Sequence, residues 1–204
     1  MDNKQVFIKL LKDIQRNGIE DLLDFLESSS FYSDPASSKY HSNYPQGLLN
    51  HSMLVYKILL VLCKVNKIQV SEDTIKIVSL LHDLVKIGSY DISLKNIKNE
   101  RTNNKWQSIM TYQNKDNGQV LSHGLTSAMI ASKFIELTEE EFTAICYHMG
   151  PTYSVCEGED YIYKKAIAKY PIVLLLHHAD AQASFIHEPS YDAMDIPWLK
   201  NNLE

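Results

Sequence analysis

The run Leu80-Leu81-His82-Asp83-Leu84-Val85-Lys86 sets an imidazole beside a carboxylate near the end of a strongly apolar segment that begins around Ile75. Both groups are costly in such company unless something satisfies them, and a metal ion does so better than any single protein partner. His82 and Lys86 are four positions apart, and Asp83 and Lys86 three. On a helix, imidazole, carboxylate and ammonium therefore project from neighbouring positions of one face. A cation beside a metal-holding carboxylate suits an anionic substrate. The competing reading is a His and an Asp at the solvated end of a helix that stops at Gly88, and the choice rests on the remainder of the chain.

Residues of the same types recur in apolar or helix-end settings. His51 lies inside an apolar helix expected from Pro45 or Gln46 to Lys64, His123 just ahead of a helix over about 126–135, and His148 directly before Gly150-Pro151. Asp180 ends the apolar run that starts at Ile172, where Pro171 suits the first position of a helix reaching about Ser184. A lone His on an apolar surface is more often a core residue with its own hydrogen bond. Six groups together, His51, His82, Asp83, His123, His148 and Asp180, would each need a separate partner, whereas one pair of metals satisfies all of them. A carboxylate bridging two cations holds them close enough to bind the attacking oxygen and the phosphoryl oxygens of an in-line displacement.

The elements that must position these residues are helical. Apolar residues over 4–26 follow a helical period broken at Gly18, which predicts two packing helices. Residues 28–44 read as a loop that delivers His41. Ser71 with Glu72 and Asp73 starts the helix carrying the His-Asp pair, which Gly88 is expected to end. Residues 90–117 change to Asn, Lys, Ser and Thr with imperfect alternation, and predict a β-hairpin-like excursion with a polar turn at Asn103-Asn104, a candidate lid. Thr138 with Glu141 forms a capping-box signature. Residues 151–169 are weakly patterned, with Tyr161, Ile162 and Tyr163 expected to pack. Trp198, in the tail 187–204, suits an anchor to the body or to a neighbouring subunit, so a homo-oligomer is compatible. The fold class is all-α, in a single domain over 1–204.

The totals narrow the partners. With 204 residues, 45% hydrophobic and 22% charged, the chain can bury a sizeable core. A net charge of -5 argues against a broad basic surface for long duplex DNA and favours a small anion. Cys63, Cys146 and Cys156 are odd in number and widely spaced, as in a reducing compartment. No signal-peptide pattern is present at Met1, and the uncharged apolar runs are short for a bilayer, so a cytoplasmic protein away from membranes is expected.

The order His51, His82-Asp83 with Lys86, then Asp180 resembles the HD-domain metal-dependent phosphohydrolases, most nearly small single-domain members of phage and prophage type. The resemblance extends over residues 39–52, Leu80 to Lys86, Leu121 to Gly124, Ala144 to Gly150 and Leu175 to Ser184. It implies an HD helical bundle with its core at about 39–186, the helices at 4–26 preceding it. His51, His82, Asp83 and Asp180 would hold a first metal, with Asp83 able to bridge, and His123 and His148 match the added ligands of the two-metal branch. Lys86 would contact phosphate or the attacking water, which with Asp83 makes it catalytic. The expected cofactor is one or two divalent transition metals per chain, Mn, Fe, Co, Ni or Zn. Two departures stand out: Asn50 precedes His51 where an acid is usual, and Gly124-Leu125 follow His123 where a carboxylate is common.

His177, three residues before Asp180, and His41 are expected on the substrate side with Lys86. The implied reaction is hydrolysis of a phosphoester, in a nucleotide or a short phosphodiester such as an oligonucleotide end, by metal-activated water. The alternatives are a mononuclear nucleotide monophosphatase or deoxynucleoside triphosphate hydrolase and, in another class, a catalytically impaired nucleotide-binding module.

Overall fold

Helical periodicity over most of the sequence produces helices α1 Asn3–Lys12, α2 Ile19–Ser28, α3 Gly47–Asn66, α4 Glu72–Leu81, α5 His123–Ala131, α6 Glu139–Tyr147, α7 Glu159–Lys169 and α8 Ile172–Gln182. Two strands, β1 Tyr90–Asn99 and β2 Lys105–Asn114, pair antiparallel. The computed structural model describes residues 2–99, 105–116, 118–151 and 159–187, so the Asn103-Asn104 turn, Tyr153, Cys156 and the tail with Trp198 lie outside the described residues. The fold is all-α with one small two-stranded sheet, as the sequence leads one to expect.

α3 is the axis. It packs on α4 and α8, and α6 packs on α5 and α8. Leu48, Leu49, Val55 and Leu59 are buried along α3, and His51 is enclosed with them. Each such leucine contributes roughly 1.5–3 kcal/mol by leaving water. By length and mean hydropathy, 1.5, α3 is long and apolar enough to cross a membrane. A tally of uncharged runs misses this because Lys57 interrupts the sequence. In this fold its buried residues face α4 and α8.

Two capping arrangements start helices where the sequence predicts. Ser71 Oγ accepts the Thr74 N–H, and Thr138 and Glu141 exchange both bonds of a capping box. Glu141 does more than cap. Its buried carboxylate also accepts two bonds from Arg16, at 2.6 and 3.1 Å, and one from Thr74 Oγ1 at 3.1 Å, while Arg16 Nη1 reaches the Glu136 carbonyl at 3.0 Å. The segment between α1 and α2 is thus tied to α4 and α6.

Three expectations are corrected. α4 ends at Leu81, not Gly88: His82 is its C-cap, Asp83 leaves helical geometry at φ -112°, and Leu84–Lys86 forms a short 3-10 turn. α5 begins at His123, three residues earlier than expected, with Ser122 in extended geometry before it. Of the three α7 residues expected to pack, Tyr163 is buried, whereas Tyr161 and Ile162 are exposed, because the helix lies on the surface.

Removing Arg16 leaves a buried carboxylate facing only neutral donors. Arg16→Ala should lower the unfolding free energy by about 3 kcal/mol in urea titration. A loss below about 1 kcal/mol, the level of an ordinary surface pair, rules out a clamp.

Candidate metal centre

α3, α4, α5, α6 and α8 deliver the six groups singled out from sequence to one place. Asp83, 2% exposed, lies at the middle. Lys86 Nζ donates to its Oδ2 at 2.6 Å, and His123 Nε2–H donates to its Oδ1 at 2.6 Å. His82 Nε2 stands 3.3 Å and His51 Nε2 3.4 Å from Oδ2, and His148 Nε2 3.5 Å from Oδ1. Asp180 Oδ1 completes the far wall, 3.1 Å from His51 Nε2. Lys86 meets Asp83 because positions three apart eclipse on a 3-10 turn, not through the continuous helix that the sequence predicts.

Two histidines are held identically. His82 and His148 are the C-caps of α4 and α6, both at φ -60°, ψ -28°. Each places Nδ1 against the carbonyl three residues back, Ser79 at 2.8 Å and Ile145 at 2.7 Å. A carbonyl only accepts, so Nδ1 carries the hydrogen, and in the neutral ring Nε2 is a bare lone pair. Burial pushes the His82 pKa below its ordinary value despite the pull of Asp83, so that ring is neutral at pH 7. Its Nε2 lone pair therefore faces His51 Nε2 at 3.1 Å and Asp83 Oδ2 at 3.3 Å, while among the described residues the buried His148 Nε2 has no hydrogen-bond partner. The His148 lone pair stands 3.5 Å from Asp83 Oδ1, acceptor against acceptor, and a cation between them would turn that repulsion into attraction.

This donor set fits a divalent metal. Two triads have ligand atoms within 4.8 Å of one another: His51, His82 and Asp180, and His82, Asp83 and His148. They share His82. His123 belongs to neither triad and gives its Nε2–H to Asp83. Imidazole and carboxylate together suit Mn, Fe, Co, Ni or Zn.

The charges are fixed by the same contacts. Burial opposes ionisation of Asp83, yet Lys86, His82 and the bond from His123 hold its carboxyl well below the usual range. Asp180 is likewise held low, burial being outweighed by His51. Lys86 is held above its usual value because Asp83 outweighs the cost of burial. Burial lowers His123 against the pull of Asp83.

Lys86 and His123 also line a cavity of about 250 Å³ with Tyr90, Asn114, Lys115 and Gln119, which gives the site an open side. His41 is at its margin, its ring 5.0 Å from that of His51. His177 is expected on the substrate side, and the structure places its Nδ1–H on the His148 carbonyl at 2.8 Å. Its ring packs on Gly150, where φ is +75° and an added Cβ would come within 2.7 Å of the imidazole. His178 is exposed.

Gly124 stands where an acid is common, and the structure supplies the reason. A Cβ there would lie 2.3 Å from the Cys146 carbonyl oxygen and 2.5 Å from that of Ile145. α5 thus rests directly on the last turn of α6, the turn that orients His148. Sequence reasoning missed Asp34, whose Oδ2 accepts the Gly88 N–H at 2.7 Å and the Ser30 hydroxyl at 2.6 Å and so pins the chain just after Lys86. Asp34-Pro35 in a loop carries no periodic signal for such a bond. Tyr90 donates its hydroxyl to the Ala36 carbonyl at 3.2 Å.

Helices that converge on a buried carboxylate ringed by imidazoles make a centre that could hold a divalent metal. The HD domain family matches residues 48–182, and the chain belongs to that family, whose members are generally divalent-metal hydrolases and, in the main, phosphohydrolases. No curated protein and no solved structure matches the chain.

Two outcomes follow from this packing. Gly124→Glu should destabilise the chain by more than about 2 kcal/mol, because backbone carbonyls must move; an unchanged urea midpoint would show that the contact is slack. The metal-free protein should also lose stability as pH falls from 7.5 to 5.5. Unfolded His82 and His123 take up protons near pH 6.5 whereas the folded rings resist, so the unfolded state binds more protons and stability rises with pH. A midpoint that stays flat across that window contradicts neutral burial.

Proposed function

We propose that this protein hydrolyses a phosphodiester in a nucleotide or short oligonucleotide, and that His51, His82 and Asp180 would hold one divalent metal and Asp83 with His148 a second. The observation that carries the reading is the pair of equivalently held Nε2 lone pairs, from His82 and His148, on either side of Asp83. A carboxylate such as Asp83, lying between the two ligand sets, suits a pair of cations that would serve in-line displacement at phosphorus. When bound, the metals supply an activated water and neutralise phosphoryl charge.

The remaining work falls to this chain's own groups. Lys86, 12% exposed at the cavity and already charged, takes a phosphoryl oxygen of the substrate. Lys115 lines the same cavity and adds positive charge at its rim. His123, kept neutral by burial and giving its Nε2–H to Asp83, lines the cavity beside Lys86 and holds the carboxylate's orientation there. Asp83 holds Lys86 and His123 on that side of the site. His177 keeps the end of α6 in register for His148 and stays behind the reaction centre.

One observation favours a second reading, a mononuclear nucleotidase: His123 lies outside both triads and its hydrogen is engaged by Asp83. Elemental analysis of protein purified without chelator, followed by assays on bis(p-nitrophenyl) phosphate and p-nitrophenyl phosphate, separates the two. About two metals per chain with diester cleavage is expected. About one metal with monoester cleavage alone selects the nucleotidase, and neither metal nor turnover selects a nucleotide-binding module. Asp83→Asn should reduce turnover at least a hundredfold or so, with the helical circular dichroism retained; full activity in that variant removes Asp83 from the chemistry.

A further inference from the structure

The excursion formed by β1 and β2 leaves the metal centre with one side chemically unlike the rest of the molecule. The register pairs Tyr90 with Asn114, Ile92 with Tyr112 and Lys98 with Trp106, and these positions share one face because side chains alternate along a strand. The face begins inside the site, since Tyr90 and Asn114 line the cavity with Lys86 and His123. It ends roughly 26 Å away, eight residues along β1, at Trp106. Its outer residues are bare: Ile92 is 64% exposed, Leu94 75% and Trp106 68%, with Lys98 Nζ 5.3 Å from the indole centroid.

Charge distinguishes the ribbon from the body. Residues 90–114 contain Lys95, Lys98, Arg101 and Lys105 against Asp91 and Glu100, a basic segment in a chain of net charge -5. An exposed indole beside an ammonium is a poor surface for water and a good one for an unpaired base next to a phosphate. A duplex offers no free base faces to stack, and so modest a positive charge is too little for its doubly charged backbone.

We propose that this face binds single-stranded nucleic acid, stacking a base on Trp106, and leads the strand along Tyr112 and Tyr90 to the phosphodiester held at Lys86. The substrate class is then a single-stranded oligonucleotide rather than a mononucleotide. The inference rests on the phosphodiesterase reading of the metal centre.

The test is fluorescence anisotropy with a labelled, cleavage-resistant phosphorothioate oligothymidylate of about 12 nucleotides, a length in the range of single-strand sites. The unaltered protein, Trp106→Ala and Lys98→Ala are titrated as purified. Loss of one stacked base should weaken binding about tenfold in Trp106→Ala. Lys98→Ala should reduce the slope of log affinity against log salt by about one. Thymidine 5′-monophosphate, too short to reach the outer end, should bind all three proteins alike.

Equal oligonucleotide affinity in the three proteins overturns the inference, as does a duplex that binds as tightly as the single strand. A dimer that Trp106→Ala dissociates, without oligonucleotide binding, overturns it in favour of a second copy. The p-nitrophenyl esters keep the two readings apart. Trp106-dependent binding without turnover of either ester supports the ribbon and removes the phosphodiesterase. Turnover of the diester with binding indifferent to Trp106 removes the ribbon alone.

Discussion

Everything in this structure defers to one buried carboxylate. Asp83 has an ammonium and an imidazole N–H within 2.6 Å, and three more ring nitrogens within 3.5 Å. Such a crowd holds together only if each ring presents a chosen nitrogen in a chosen state, and the backbone makes that choice. The carbonyls of Ser79 and Ile145 take the Nδ1 hydrogens of His82 and His148 and so aim the lone pairs inward. A second-layer bond that fixes both tautomer and ring orientation is what metal-binding histidines require. Here it comes from the helix that carries the ligand, so the ligand cannot be misaligned without fraying its own last turn.

Helix direction reinforces the preference. α4 and α6 both point their C-terminal ends at the site, where unsatisfied carbonyls create a field that favours cations. α5 brings its N-terminal end, with His123 in the first turn, to the side open to the cavity, where negative charge is favoured. Positive and negative charge are thus favoured at opposite sides of the site by opposite ends of the helix dipoles. The Gly124 contact allows this closeness: with a side chain there, α5 would stand off from α6 and His123 from Asp83.

The sequence is most readable where chemistry conflicts with context. A His-Asp pair inside an Ile, Val and Leu run, or an Asp at the end of Ile172-Val173-Leu174-Leu175-Leu176, has no structural excuse, and the six groups such conflicts mark are brought to one centre. Caps at Ser71 and Thr138, the break at Gly18 and the strand pair near 90–114 are equally local signals, and they are present. What cannot be read locally was misread. A helix expected to run to Gly88 stops at Leu81, because the bond from His82 to Ser79 and the turn at Asp83 belong to the site and not to helix propensity. Gly124 looked like a missing acid, although its neighbours are backbone atoms of a helix twenty residues on. Asp34 and the role of His177 depend on bonds to distant backbone, which no periodicity announces.

The groups that meet at Asp83 are drawn from helices spread between His51 and Asp180, nearly two thirds of the chain, and this has a consequence for biosynthesis. Contacts so distant in sequence form late, after the intervening loops have closed. On the ribosome, α3, α4, α5 and α6 emerge before α8, so a nascent chain exposes five of the six groups while the Asp180 wall is still missing. Until α8 docks, those imidazoles are an open and undiscriminating chelator in an unfinished protein. Docking of α8, more than affinity for any one ion, then sets the moment at which the ring of ligand groups closes.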